Sequence, residues 1–206
     1  LRMSRGLGDV YKRQVIQVPT MSFYEYCELL NLDRPNIASD LKVTTLLHKS
    51  QIERTQIMMQ LSKVQNHFMR YLQVGGFPEL ALADNDLMAQ QIMREDVVDK
   101  VLKRDLPSLY NIRNATELER IFLYLCNVSS EIVSIEAITK ELNGVSRTTV
   151  ENYIQYLESA NLIYQSWPVD MAGKKVLKAR PKIYIADAAI RNAVLMDDSV
   201  LTDPVE

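Results

Sequence analysis

The stretch from Ile132 to Trp167, IVSIEAITKELNGVSRTTVENYIQYLESANLIYQSW, constrains the fold more than any other. Ile135, Ile138 and Leu142 recur at steps of three and four, which puts them on one face of a short helix. Asn143-Gly144 interrupts that period, and glycine adopts the left-handed conformation that ends helices. Ser146 stands where an N-cap belongs, its hydroxyl free to accept an orphan backbone N–H. Val150, Tyr153, Ile154 and Leu157 give a second helix its buried stripe, and Leu162-Ile163-Tyr164 reads as a strand. Two helices, a tight turn and a strand have the layout of a winged helix-turn-helix, whose second helix can enter a major groove. The turn, with Asn143 before Gly144, is one residue longer than the usual Leu-Gly-Val-Ser.

A chain of 206 residues suits one large or two small domains. Its net charge of −2 and pI near 5.8 argue against a chain that binds nucleic acid over its whole surface, while leaving room for a local basic patch. Cys27 and Cys126 lie far apart in apolar helical settings and read as buried free thiols of a reducing compartment. No stretch approaches the roughly 20 apolar residues that span a bilayer, and no signal-peptide core opens the chain. The expected place is the cytoplasm.

Leu1 to Gln14, LRMSRGLGDVYKRQ, has neither a helical nor a strand period. Asp9 to Gln14 is what GAT GTG TAT AAG AGA CAG encodes, which resembles the transposase recognition end used in preparing sequencing libraries. Residues 1–14 are therefore expected to be a sequencing or cloning scar.

Beyond the scar, Val15 to Val18 is a short β-like run ended by Pro19. Ser22 and Glu25 have capping-box spacing at the start of a helix whose buried face would carry Phe23, Tyr26 and Leu30. Asn31 to Ser39 is a loop, and Leu41 to about Gln73 is mostly helical, with Leu61, Val64, Phe68 and Leu72 as a core stripe and Met58-Met59 as core filler. Gly75-Gly76-Phe77-Pro78-Glu79 is a hard break, since Pro78 disfavours a helical conformation at Phe77. A long helix is expected from Asp84 to Leu106, with Ile92, Val97, Val101 and Leu102 among its apolar positions and Pro107 closing it. Another runs from Thr116 to Asn127 with Leu118, Ile121, Phe122 and Leu125 inward. After Trp167, residues 182–186 form a strand and Asp187 starts a last helix to about Leu195. The fold class is mainly α: a helical, lid-like region, then the winged helix-turn-helix with a small β element.

Chemistry-bearing motifs are few. There is no Gly-x-x-x-x-Gly-Lys-Ser/Thr loop, no Cys-x-x-Cys and no Gly-x-Ser-x-Gly. His48 and His67 are too far apart for a helical metal pair. No catalytic, cofactor-binding or metal-binding residue is therefore assigned. One charged feature has direction: Lys174, Lys175, Lys178, Arg180 and Lys182 fall within nine residues without an acid among them. In a winged helix this is the wing and its return strand, where cations meet phosphates beside the groove. Arg147, Thr148 and Thr149 open the second helix, where such motifs reach base edges. Arg147, Thr148, Thr149, Lys174, Lys175 and Lys178 are the candidate nucleic-acid contacts. Glu151 and Glu158 on the same helix oppose a phosphate backbone, so a packing or protein-docking role stands beside DNA contact.

Several strings resemble a prokaryotic AAA-type ATPase family whose C-terminal part is the domain of unknown function 4143. Residues 15–26 look like the last strand and exit of that ATPase core, which leads into Pro-Leu-Ser-Phe-x-Glu-Tyr, with Thr20-Met21 departing slightly. Tyr71-Leu72-Gln73-Val74-Gly75-Gly76-Phe77-Pro78-Glu79 resembles Tyr-Leu-x-x-Gly-Gly-Phe-Pro-Glu, the most specific of the strings. Arg104-Asp105-Leu106 resembles Arg-Asp-Ile/Leu, and residues 146–153 resemble a Ser-x-x-Thr-Val-x-x-Tyr recognition helix. Residues 181–187 resemble Pro-Lys-Ile-Tyr-Phe-x-Asp, after which Ala188-Ala189 departs from the usual Thr-Gly.

The resemblance implies a larger parent. Family members place Walker A and Walker B, which bind and hydrolyse ATP with magnesium, ahead of the Ser-Phe segment, and continue past the final Asp into a part similar to restriction-endonuclease-like folds. The expectation is an interior fragment: residues 15–30 a remnant of the ATPase core, 31–128 a helical region, 129–186 the winged helix-turn-helix and 187–206 the start of a truncated C-terminal part. ATP and Mg belong to the parent, and the fragment itself is expected to be inactive. Its partners would be double-stranded DNA or a protein, together with the missing ATPase core in cis, and no membrane. The alternative is a free-standing winged-helix transcription regulator.

Overall fold

The computed structural model describes residues 18–38, 41–142, 144–169 and 179–195. The fold is mainly helical, with a small antiparallel sheet. Helix α1 (Phe23–Leu29) opens on the expected capping box. Ser22 Oγ accepts from Glu25 N–H, and the Glu25 carboxylate accepts from Ser22 N–H at 2.7 Å. Tyr26 and Cys27 are buried, while Phe23 and Leu30 are only partly so.

The helical run expected up to Gln73 is three helices: α2 (Val43–Leu46), α3 (Gln51–Ser62) and α4 (Gln65–Val74). Ser50 starts α3 with a second capping box. Two expectations fail here. Of the proposed core stripe only Val64 is buried; Leu61 and Phe68 are exposed, and Leu72 is partly covered. Met58 and Met59 are 63% and 65% exposed rather than core filler. For Met58, Met59 and Leu61 the reason is that α3 contributes no buried residue, so apolar spacing along it has no core to face; Phe68, on α4, packs at the core's edge against Phe23.

Gly75 ends α4 with φ +76°, and Pro78 sits in the first turn of α5 (Pro78–Ala81), where its missing N–H costs nothing. Helix α6 (Asp86–Ile92) then continues through π-helical turns over Met93–Asp99 and Val101–Asp105 into α7 (Leu106–Tyr110). Pro107 does not close it. The register resets at Leu106, which places Pro107 in the first turn of α7, where no N–H is required. The run ends four residues later at Asn111, in the left-handed conformation.

Helix α8 (Ala115–Asn127) is the centre of the core. Leu118, Ile121, Phe122, Leu125 and Cys126 are all buried, each worth about 1.5–3 kcal/mol relative to exposure for the larger apolar side chains. Then come α9 (Ile135–Glu141) and α10 (Arg147–Ser159), separated by a turn in which Gly144 takes φ +97°. Strands β1 (Ile163–Ser166) and β2 (Lys182–Ile185) pair antiparallel, Tyr164 opposite Tyr184. Ile132 adds a bridge to Lys182, flanked by Ser130 N–H to Ile183 O and Val133 N–H to Pro181 O. Helix α11 (Ala188–Leu195) closes the described chain and packs on α4, α8 and the first π turns. Buried residues from Tyr26 to Ala193 join in a single cluster, so the side chains before and after Ser129 share one core. Among the described residues no helix is long and apolar enough to cross a membrane.

Candidate nucleic-acid interface

The start of α10 is built by its cap. Ser146 Oγ accepts from Thr149 N–H at 3.1 Å, and the two hydroxyls lie 2.8 Å apart. Thr149 is therefore drawn into the cap and half-buried, whereas Thr148 is exposed. Arg147 is exposed but engaged: Nη1 donates to Glu136 Oε1 at 2.7 Å and Nε to Glu151 Oε1 at 2.8 Å. Arg180 lies 3.8 Å from the other Glu136 oxygen. The Ser134 hydroxyl, foremost, then the backbone and the two arginines hold the Glu136 carboxyl below its ordinary range. The carboxylate of Glu151, expected to face phosphates, is spent on Arg147. Glu158 is spent as well: it accepts from Gln165 N–H at 3.1 Å and from Gln165 Nε2 at 2.7 Å, which blocks the open edge of β1.

Between α9, α10 and the hairpin lies a cleft of about 520 Å³. Val133, Ile154 and Ile183 line its depth, and Glu136, Arg147, Arg180 and Trp167 its rim, with Trp167 54% exposed. The structure thus brings Arg147, Thr148 and Thr149 to one helix end. Lys174, Lys175 and Lys178 lie outside the described residues. Arg180 and Lys182, from the same basic run, are exposed.

Glu136, Gln155 and Trp167, which line the cleft, are not among the candidates that the sequence offers. Glu136 could not be found from spacing, because it reaches Arg147 from another helix. Gln155 shares a helix face with Thr148, seven residues before it, through Asn152 at steps of four and then three.

A second constellation lies where three distant strings meet. Asp187 is 8% exposed; its Oδ2 accepts from Gly76 N–H and its Oδ1 from Ala189 N–H, both at 2.9 Å. Gly76 O in turn accepts from Met21 N–H at 2.7 Å, and the Tyr71 hydroxyl donates to Met21 O at 2.6 Å. A Cβ on Gly75 would lie 2.4 Å from Asp187 Oδ1, and one on Gly76 2.4 Å from Met21 O. Burial pushes the Asp187 carboxyl above its ordinary value, against the two N–H donors. With both oxygens occupied and no space beside the glycines, this is a structural junction. Among the described residues no group of three or more His, Cys, Asp or Glu side chains is placed to hold a metal ion. Both cysteines are free and buried, and burial pushes the Cys126 thiol up to about 12.

The class that the fold defines is a mainly helical chain with a small two-stranded antiparallel sheet, tied together at this junction. The chain belongs to the family described as a domain of unknown function (DUF8612), whose family model matches residues 65–200. It is also similar to an uncharacterized protein of Haemophilus influenzae, 24% identical over 156 residues that cover 74% of this chain and 38% of that protein. An uncharacterized protein of Methanocaldococcus jannaschii is 32% identical over 119 residues, covering 56% of this chain and 25% of that protein. The chain thus spans well under half the length of these curated relatives. No solved structure matches the chain.

Proposed function

We propose that the chain is a non-catalytic C-terminal region of a larger AAA-type ATP-binding protein, and that α9, α10 and the hairpin are its winged helix-turn-helix, which contacts duplex DNA. The observation that carries the DNA reading is the arrangement at α10. A capped helix presents Thr148 outward beside a hairpin whose return strand carries Lys182, with Arg180 just ahead of it, and the acids of α10 are turned to internal partners. Support for the ATPase reading is that the strings resembling that family, at 21–26, 71–79 and 181–187, converge on the Gly76–Asp187 junction. The greater length of the relatives leaves room for a nucleotide-binding core elsewhere in a parent protein. ATP and Mg would bind in that core. Purified chain incubated with ATP and Mg should show no turnover; clear hydrolysis would contradict the reading.

Arg147 supports a second reading. Its pairing with Glu136 and Glu151 leaves the helix end close to neutral, which suits a protein-docking module that couples the core to a partner. The two readings separate in a salt titration of duplex binding, since phosphate contacts weaken steeply with salt.

A further inference from the structure

The outward face of α10 is neutral, and most of its side-chain hydrogen-bonding groups have no partner among the described residues. At 3.6 residues per turn, Thr148, Asn152, Gln155 and Ser159 fall within a strip about 60° wide. All four are exposed. The Ser159 hydroxyl donates to the Gln155 backbone carbonyl. The side chains of Thr148, Asn152 and Gln155 have no hydrogen-bond partner among the described residues. The charges of the helix lie on the neighbouring flank, toward α9 and the hairpin, where Arg147, Glu151 and Glu158 are each engaged. The opposite side of the helix is occupied, with Val150, Tyr153, Ile154 and Leu157 buried and Tyr156 stacked on Tyr110 at 3.8 Å.

Resting on the duplex-DNA reading above, we infer that Asn152 and Gln155 are the base-reading side chains and that the sequence class they select is rich in A·T pairs. A carboxamide offers one acceptor and two donors. That set matches adenine in the major groove, which presents an N7 acceptor beside an N6 donor, and Asn or Gln pairs with it in bidentate fashion. A strip without free cations is poorly suited to the guanine edge, which offers acceptors only and is read by Arg or Lys. Thr148, one turn before Asn152, adds a methyl of the kind that packs against the thymine methyl. Charge complementarity to the backbone comes from Lys182 and Arg180, both exposed on the return side of the hairpin. Affinity and selectivity would then reside in different residues.

The test is selection from a random duplex library with the full chain, followed by binding of the selected and scrambled duplexes across salt. The expected result is an A·T-rich consensus preferred on the order of tenfold or more. In Asn152→Ala/Gln155→Ala that preference disappears while scrambled-duplex affinity and its salt slope stay as in the wild type. Both positions are exposed, and an unchanged melting curve verifies folding. Lys174→Glu/Lys175→Glu should weaken both duplexes alike. Binding without sequence preference, a G·C-rich consensus, or a double variant that keeps the preference would overturn the inference and leave the DNA reading standing. No binding of any duplex at low salt would overturn both.

Discussion

The Gly76–Asp187 junction and the outer side of α10 are opposite kinds of polar site. At the junction a buried carboxylate has each oxygen filled by a backbone N–H, and neither glycine has room for a methyl group. On α10 the charges pair with one another at the surface, where an ion pair contributes about 0–1 kcal/mol. The amides between them pair with nothing among the described residues. A buried network is costly to disturb, so it fixes architecture. An exposed strip is cheap to disturb, so it is available to a ligand. The most conspicuous strings in this sequence therefore mark scaffold, and the positions proposed to meet a partner are plain amides.

That contrast can be broken by substitution. Gly76→Ala should have the largest effect, because the new Cβ meets the Met21 backbone rather than a movable side chain. A loss of about 3–5 kcal/mol is expected in chemical denaturation; a loss under about 1 kcal/mol would mean the junction is softer than described. Asp187→Asn should cost about 2 kcal/mol, since the amide nitrogen turns a donor toward one of two N–H groups.

The same position has a pH signature. The folded-state value of Asp187 lies above 3.8, so the folded chain binds that proton more tightly than the unfolded chain. Its contribution is complete below about pH 3.8 and declines as pH rises through the folded value. The stability gap between wild type and Asp187→Asn should narrow with rising pH across that window; a gap that widens would reverse the assigned cause. Glu53 runs the other way. Chiefly its hydrogen bonds to Ser50 hold it at about 2, so its contribution is present above the ordinary carboxylate value and fades as pH falls toward 2.

Glu136→Gln should have the smallest effect on folding. The denaturation midpoint should stay within error, while duplex affinity rises about threefold at low salt as an acid beside Arg147 is removed. An unchanged affinity would set Arg147 outside the interface.

Much of the local structure was legible because it depends on neighbours in sequence. The Ser22–Glu25 capping box, the Ser146 cap, the α8 stripe and both strands follow from spacing of two to four residues. What depended on the far side of the molecule was not legible. Leu61 and Phe68 have core spacing but stay exposed: Leu61 lies on α3, which buries no residue, and Phe68 on α4 packs only at the edge of the core, against the Phe23 and Tyr71 rings. Pro107 looked terminal because the register shift that accommodates it arises from π turns. Asp187 stood out as a helix start, but its bond to Gly76 spans 111 positions. At the candidate interface the helix end was legible, and the pairing that engages Arg147 from α9 was not.

The measurement that tests the central claim most directly is duplex binding by the purified chain as a function of salt. The account predicts measurable affinity at about 50 mM salt, a linear fall of log affinity with log salt, and loss of binding in Lys174→Glu/Lys175→Glu. No binding at low salt, or binding indifferent to both salt and those two lysines, would contradict it.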